Sequence, residues 1–356
     1  MRLLVDLQTG RIVDRPDLTT ARYVDHAPPV LVPVTIDTPL SGDTVSGSTT
    51  VSGTTAPDAT VDVSLVGNDT SGSSIDTTTA DASGHWTATV DAVFGSDRIT
   101  AAATTANGTG VARVDVAGDL VGGTTILDVT DPSGDDHGPG TFQYPTSGDF
   151  HDGAFDITRF QVLQQGDTVY LRTTLRDLSE TFGSPLGAQL LDVFVHDPAA
   201  TSTSTSPPFA TRNYAIAADS AWSQRIEVQG FAPPDWQDAD GNQVGTVTAV
   251  VASAPTKTIT IALPAAQLGT PAAGWRFAVV LHGQDGFSPD QARGFAPAAQ
   301  PFQFGLCAAG DTSPICSIDP GSAPKAMDVI TPSGVDQGTE LDPTLGPVAI
   351  HGVPVP

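Results

Sequence analysis

An acidic loop near the middle of the chain carries the residues with the clearest chemistry. Asp131, Asp135 and Asp136 lie in the run Asp-Pro-Ser-Gly-Asp-Asp-His-Gly-Pro-Gly, where proline and glycine exclude a helix. Clustered carboxylates repel one another unless water or a cation screens them, and Ca²⁺ takes roughly six to eight oxygen ligands. The spacing does not fit the helix-loop-helix calcium motif. The loop therefore predicts either a Ca²⁺ site completed by residues from elsewhere, with Asp285 as a candidate, or a solvated acidic turn.

Two tryptophans in polar surroundings are candidates for carbohydrate binding. An aromatic ring covers the apolar face of a pyranose, while nearby polar groups bind its hydroxyls. Trp236 and Trp222 lie in the loop-like runs Pro-Pro-Asp-Trp-Gln-Asp and Ala-Trp-Ser-Gln-Arg, whereas Trp275 begins an apolar run. We expect Trp236 first and Trp222 second as sugar platforms, unless both rings simply cap the end of a sandwich. The residues expected to orient the sugar hydroxyls are Asp235, Gln237 and Asp238.

The two cysteines of the chain, Cys307 and Cys316, are nine positions apart. The short loop between them contains glycine and proline and is able to close as a disulfide in an oxidising compartment. Too few other ligands are nearby for a metal site. The N-terminal run Met-Arg-Leu-Leu-Val-Asp-Leu-Gln has too short an apolar stretch for a signal peptide. We therefore expect a Cys307–Cys316 disulfide in a fragment of a longer secreted protein.

The histidines and methionines do not indicate a catalytic or haem centre. His196 and His282 have no serine or cysteine nucleophile in a recognisable elbow, and no histidine pair has zinc spacing. Haem ligation would require methionine and histidine ligands, and Met1 and Met327 are the only methionines. We expect structural roles for both histidines and no catalytic residue.

Composition and charge narrow the fold class and the partners. The chain has 40 Asp and Glu against 15 Lys and Arg, a formal net charge of −25, which repels nucleic acid and anionic membrane surfaces. No run approaches the roughly 18 apolar residues of a membrane helix. The 36 glycines and 29 prolines favour many short strands and turns. We expect a soluble, monomeric, all-β protein with a neutral or cationic ligand, no nucleic-acid partner and no membrane insertion.

The pattern along the chain predicts two β-sandwiches. Residues 1–28 form a short leader, and residues 29–117 alternate apolar and polar positions at intervals of about ten residues, typical of a small sandwich. Residues 118–340 carry longer strand-like runs and one helical turn at 265–268, which predicts a larger, jelly-roll-like sandwich. Residues 341–356 form a tail. An Asp-Val-Thr-Asp-Pro-Ser-Gly run at 128–134 is echoed at 328–334, either as one strand-to-turn element used twice or by coincidence.

Five longer motifs together resemble the C-terminal region of bacterial glucodextranases, over most of residues 120–340. They are Asp-Pro-Ser-Gly-Asp-Asp at 131–136, Phe-Asp-Ile-Thr-Arg-Phe at 155–160, Leu-Arg-Asp-Leu at 175–178, Gly-Ala-Gln-Leu-Leu-Asp-Val-Phe-Val-His at 187–196 and Gly-Gln-Asp-Gly-Phe-Ser-Pro-Asp at 283–290. Residues 29–117 resemble bacterial immunoglobulin-like modules. Residues 2–16 are similar to the last helix and exit of the family's α/α-barrel catalytic domain.

The resemblance implies the trailing part of a secreted α-glucan hydrolase. Nearly the whole barrel is absent, and an inverting glycosidase needs an acid and a base held about 6.5–9.5 Å apart on a rigid frame. We therefore expect this chain to be non-catalytic, extracellular or at the cell surface, and to bind an α-glucan or a cell-wall carbohydrate. Two alternatives remain: a calcium-stabilised cell-surface or adhesion protein that binds no sugar, and the tail of an active glycosidase.

Overall fold

The computed structural model of the chain describes residues 30–67 and 72–356 and the backbone of two short strands before them. The expected leader, residues 1–28, otherwise lies outside the described residues. Within this described part, no helix is long and apolar enough to cross a membrane. The chain forms two compact units. The first comprises Met1–Val66, Gly72–Ala92 and Asp97–Val116, and the second comprises Gly67–Ser71, Val93–Ser96 and Ala117–Pro356.

The first ten strands lie wholly or mainly in the first unit. They are β1 (Leu4–Val5), β2 (Ile12–Val13), β3 (Val30–Leu31), β4 (Thr44–Ser46), β5 (Ser48–Thr54), β6 (Thr60–Gly67), β7 (Ser73–Thr79), β8 (His85–Asp91), β9 (Gly95–Thr105) and β10 (Gly108–Asp119). One sheet has the order β3-β10-β9-β6-β7, with β4 also paired to β10, while β5 pairs with β8 and β1 with β2.

Alternation along these strands buries one face of each. In β6 the side chains of Val61, Val63 and Leu65 are buried and their neighbours are more exposed, as the period of two predicts. Trp86 of β8 is buried opposite Gly53 of β5, where an added Cβ atom would stand 2.6 Å from the indole. Trp86 is therefore part of the core, and Gly53 leaves the space for its ring.

The second unit contains fifteen further strands among the described residues. They are β11 (Thr124–Thr130), β12 (Ile157–Gln165), β13 (Thr168–Leu175), β14 (Gln189–His196), β15 (Ala215–Ile216), β16 (Gln224–Gln229), β17 (Asp235–Asp238), β18 (Ala249–Ser253), β19 (Thr258–Pro264), β20 (Arg276–Gly283), β21 (Phe295–Ala296), β22 (Phe304–Gly305), β23 (Asp328–Val329), β24 (Ala349–Ile350) and β25 (Val353–Pro354). The α-helices are α1 (Ala265–Leu268) and α2 (Gln337–Glu340), and the 3-10 turns are Ala210–Arg212, Ala218–Ser220, Pro314–Ser317 and Pro320–Ser322.

Two sheets enclose the core of the second unit. One has the order β11-β12-β13-β19-β18, and the other has the order β17-β16-β14-β20-β23, with β25 also paired to β20. Side chains from both sheets share one apolar cluster, in which the rings of Phe160 and Phe277 lie 5.8 Å apart between their centroids. The all-β prediction is therefore confirmed, and the single helical turn at 265–268 is present as α1.

The C-terminal residues belong to the sandwich rather than to a tail. Ala349 and Ile350 in β24 pair in parallel with β15, and β25 pairs with the start of β20 at Phe277. Ile350 and Val353 are buried. The sequence prediction of a tail at 341–356 missed this, because short strands held by distant partners have no local pattern of their own.

A network of buried charges covers the outer face of β14. Asp192 in the middle of this strand is fully buried, accepts a hydrogen bond from Arg225 at 2.8 Å and pairs with Arg212. Both guanidinium groups also pair with Glu227, and the His282 ring lies 3.1 Å from Asp192. Burial acts to raise the pKa of Asp192, but the two arginines outweigh burial and hold the pKa below its ordinary value.

We expect Asp192→Ala to lower the free energy of unfolding by about 3–5 kcal/mol, because it leaves two buried guanidinium groups with only one of the two carboxylates that they share. Asp128→Ala is the matched control: its pair with Arg159 is largely exposed, and such pairs contribute about 1 kcal/mol or less. Urea unfolding of both variants checks the difference. A loss for Asp192→Ala no larger than that of the control would show that this network contributes little.

Candidate functional site

Three carboxylates from both sheets of the second unit meet at one point. Asp131 directly follows β11 and its N–H donates to the Thr158 carbonyl at 3.0 Å, Asp135 lies in the next turn, and Asp328 begins β23. One oxygen from each of Asp131, Asp135 and Asp328 lies within 4.8 Å of the others. We call these three residues the acidic site.

Two further buried carboxylates border the acidic site. Asp156, just before β12, accepts a hydrogen bond from the Gly134 N–H at 2.7 Å and pairs with the Arg176 guanidinium. Asp136 accepts the hydroxyl hydrogen of Tyr144. Arg176 is also bound to the exposed Asp152 at 2.7 and 2.9 Å, so its charge is shared between carboxylates.

Burial and mutual repulsion make the acidic site reluctant to ionise. Burial raises the pKa of Asp131 to about 8, and the nearby Asp135 and Asp156 add to this rise. Burial raises the pKa of Asp135 to about 6, again with a contribution from Asp156. The pKa of Asp328 is raised well above its usual value by burial and then by Asp131 and Asp135. A bound cation would reverse this, since an opposite charge favours the ionised form.

Several oxygen atoms at and around the acidic site lack hydrogen-bond donors. One buried oxygen each of Asp131, Asp135, Asp136 and Asp156 accepts no hydrogen bond from the part of the chain that the structure describes. Buried acceptors of this kind are normally satisfied, so their lone pairs remain to bind something else. A donor set made of oxygens alone suits a hard cation such as Ca²⁺, while zinc and copper favour nitrogen and sulfur.

The echoed strand-to-turn element lies beside the acidic site, but it does not single out Asp328, a carboxylate that sequence reasoning missed. Pro132 and Gly134 from the first copy, and Thr331 and Val335 that follow the second strand, line one surface pocket next to the acidic site. Asp328 begins the second copy. Its counterpart in the first copy is Asp128, which pairs with Arg159 outside the acidic site, so the echo gave no signal for Asp328 as a ligand. Nothing local to Asp156 distinguished it from other strand-edge carboxylates either.

Asp285 does not join the acidic site. It follows β20, and its Oδ1 accepts hydrogen bonds from the Phe287 and Ser288 N–H groups at 3.1 and 3.0 Å, which closes its own loop. Asp131 and Asp135 are brought together as the sequence suggested, while Asp136 lies beside them and binds Tyr144. Asp328 takes the place that the sequence prediction assigned to Asp285.

The two tryptophans expected to bind sugar lie inside the sandwich. Trp236 is only 1% exposed and its Nε1 donates to Gln224 at 2.9 Å. Trp222 is only 3% exposed, its Nε1 donates to the Ser206 carbonyl at 3.1 Å, and its ring packs on Phe194. Neither ring presents a face to a pyranose, so the expectation of a tryptophan platform requires correction. Trp236 lies in the short strand β17, and the polar neighbours that suggested a loop occupy the more exposed positions of this strand.

The polar residues around Trp236 and the cysteines have structural partners. Asp235 pairs with Arg225 at 3.1 Å, and Asp238 accepts the Asn242 N–H at 2.8 Å within a tight turn. Gln237 forms a bridge with Gln243 in the same hairpin. The pair of cysteines predicted to bond forms a disulfide, Cys307–Cys316, in this structure.

Comparison with known proteins identifies the family to which the second unit belongs. A family model for the C-terminal, SLH-like binding module of glucodextranase matches residues 126–349. The chain belongs to this family. The match includes the acidic site and nearly all of the second unit, and it fits a non-catalytic binding domain. No curated protein matches the chain.

Solved structures show only distant likeness. An engineered protein is 29% identical over 26% of this chain and 21% of its own length, with a TM-score of 0.21. An Escherichia coli alpha-2-macroglobulin activated by porcine elastase is 11% identical over 74% of this chain and 21% of its own, with a TM-score of 0.25. A tetra-tandem repeat from the extending region of a large adhesion protein is 16% identical over 71% of this chain and 56% of its own, with a TM-score of 0.22. The chain thus spans about a fifth of the first two proteins.

We expect the stability of the calcium-free protein to fall as pH rises from 5 to 8. Folding raises the pKa of Asp131 and of Asp135 above the ordinary value of 3.8. The stability that the protonated carboxyls contribute is therefore fully present below pH 3.8 and is lost as the pH rises to about 8. Ca²⁺ at a hundredfold excess over its dissociation constant adds about 2.7 kcal/mol, or about 5–10 °C in melting temperature. Calorimetry in EDTA and in CaCl₂ at both pH values measures this.

The double variant Asp131→Asn/Asp135→Asn removes two ionisable carboxyls from the acidic site. We therefore expect its melting temperature to be independent of calcium and to change less with pH than that of the wild type. Asp285→Asn is the matched control and is expected to keep the calcium response. A wild-type melting temperature unchanged by calcium at pH 8 would rule out this cation site.

We expect Trp236→Ala to cost about 3–5 kcal/mol of unfolding free energy, because it opens a cavity in the core and leaves Gln224 without its indole partner. Phe287→Ala, at a position 84% exposed, is expected to change stability by no more than about 0.5 kcal/mol. Chemical unfolding followed by circular dichroism compares the two. If Trp236→Ala and the wild type were equally stable, Trp236 would not be part of the core.

Proposed function

We propose that this chain is a non-catalytic, carbohydrate-binding region of a secreted, glucodextranase-like glycoside hydrolase, and that its ligand is an α-glucan. The observation that carries the proposal is the family match over residues 126–349, which spans the second sandwich. In this proposal the first unit is an immunoglobulin-like spacer. Binding to a polymer would raise the local concentration of an attached catalytic domain on its substrate.

The geometry of the acidic site supports a cation rather than hydrolysis. The carboxylates of Asp131, Asp135 and Asp328 converge on one point, with oxygens within 4.8 Å of one another. A glycosidase instead places its acid and its base or nucleophile on opposite sides of a scissile bond. We infer that these three residues hold Ca²⁺, which would tie the turn after β11 in one sheet to β23 in the other. Such an ion would stabilise the sandwich and supply no chemistry to a reaction.

Charge and cysteine usage agree with a neutral glycan ligand outside the cell. A net charge of −25 disfavours polyanionic partners and does not oppose an uncharged polysaccharide. The Cys307–Cys316 disulfide is of the kind that persists in oxidising compartments. The family is described as SLH-like, so cell-wall carbohydrate is the second ligand to test.

Affinity electrophoresis through gels that contain dextran, pullulan, starch or purified cell-wall polysaccharide tests the proposal. We expect retardation by at least one α-glucan and no release of reducing sugar on prolonged incubation, because the chain binds without cleaving. Bovine serum albumin in the same gels controls for sieving. Retardation by cell-wall polysaccharide alone would favour surface attachment, and migration unaltered in every gel would refute carbohydrate binding.

A further inference from the structure

The exposed apolar residues of the second unit are mostly phenylalanines. Among the described residues of this unit, six large hydrophobic side chains are exposed, and four of them are Phe182, Phe231, Phe287 and Phe302. Scattered exposed aliphatic residues are common on protein surfaces, but exposed aromatic rings gathered in one region mark an interaction site.

Strand pairing places these phenylalanines at one end of the sandwich. Gln189, the first residue of β14, pairs with Gly283, the last residue of β20, and Leu190 pairs with Gln229, the last residue of β16. Phe231 and Phe287 stand in the loops that leave β16 and β20 at this end. Phe182 stands in the loop that enters β14.

Phe302 is held at the same end by Arg293. This arginine is 5% exposed, and its guanidinium donates to the Phe302 carbonyl at 2.5 Å and also to the Gln284 carbonyl just after β20. The guanidinium lies 4.6 Å from the centre of the Phe150 ring. The loop that carries Phe302 is therefore anchored from beneath by a buried side chain.

Phe182 and Phe302 form one continuous aromatic surface. Their ring centroids are 6.5 Å apart, and both rings meet the buried Phe150 edge-on, at 5.9 and 6.2 Å. Both are about half exposed, at 44% and 52%. The two rings are thus partly exposed to solvent and both pack on the buried Phe150.

Phe182 has a left-handed backbone conformation, which favours glycine or asparagine over phenylalanine. Phe182 has φ +55° and Gly183 has φ +77°, in a turn closed by mutual hydrogen bonds between Thr181 and Ser184. Two successive left-handed residues define the turn for which Asn-Gly is preferred, and a bulky residue at positive φ is an outlier. An aromatic ring in this place strains the turn, and such strain is found at functional sites.

Polar groups stand next to the two rings. Phe302 lies in a turn between Gln300 and Gln303, both exposed. Asp149, in the neighbouring loop, accepts a hydrogen bond from Ser147 at 2.6 Å and provides its carbonyl to the hydroxyl of Thr181. Amides and a carboxylate beside aromatic faces are the groups that bind sugar hydroxyls.

We propose that Phe182 and Phe302 are the platform on which pyranose rings of the bound polysaccharide stack, with Gln300, Gln303 and Asp149 binding the sugar hydroxyls. This rests on the proposed function and names the surface that performs it. A neutral glycan is the occupant that fits, because the rim is polar and the chain has a net charge of −25, which disfavours anionic lipid.

The test compares Phe182→Asn, Phe302→Ala and the double variant with the wild type, by titration with the polysaccharide that retards the wild type. We expect each single variant to bind several-fold more weakly and the double variant at least about tenfold more weakly. Phe182→Asn should melt at the wild-type temperature or higher, since asparagine suits the turn. Phe182→Trp should retain binding, and Leu345→Ala, which removes an exposed apolar side chain elsewhere, should leave it unchanged.

The possible results separate this inference from the proposed function. Wild-type binding that survives in the folded double variant would overturn the platform and leave carbohydrate binding intact. A wild type that binds no polysaccharide would overturn both. Phe182-dependent binding to neutral phosphatidylcholine vesicles, without binding to any polysaccharide, would also overturn the platform and assign this surface to lipid.

Discussion

An ionised carboxylate is costly to bury unless a cation or several donors compensate it, and two clusters of buried carboxylates in the second unit differ in how this cost is met. On the outer face of β14, Asp192 is met by Arg212 and Arg225, which hold its pKa down. At the acidic site, no arginine of the described residues forms an ion pair with Asp131, Asp135 or Asp328, and the pKa values of these three carboxyls rise. The first arrangement is compensated by arginines of the protein itself, whereas the second would be compensated by protons or by the cation proposed above.

Continuous side-chain packing connects the acidic site with the rings of Phe182 and Phe302. Asp136, beside the acidic site, binds the Tyr144 hydroxyl, and the Tyr144 ring meets Phe155 at 5.1 Å. Phe155 packs on Phe150, which supports the rings of Phe182 and Phe302. The loop that runs from β11 to β12 thus contributes both to the acidic site and to the support of the platform. Stiffening this loop with a cation would also fix the floor under the proposed sugar site.

Local patterns in the sequence predicted the elements well and the burial of particular side chains less well. Alternation in the run Thr-Val-Asp-Val-Ser-Leu predicted β6 and its buried face, since a strand has a period of two whatever its partners are. The same reasoning failed for Trp236, whose polar neighbours suggested a loop. Its burial depends on β16, which pairs with it and provides Gln224, and on a core supplied by distant strands.

By itself, the sequence determined the all-β class, the acidic loop at 131–136 and the family, because strand period, turn residues and motifs are local properties of the chain. Only the tertiary structure decided that Asp328, almost two hundred residues beyond Asp131, joins that loop while Asp285 does not. It also decided which aromatic rings reach solvent. These outcomes depend on the pairing of β20 with β23 and of β14 with β16 and β20, and such long-range pairing has no signature in the residues that it brings together.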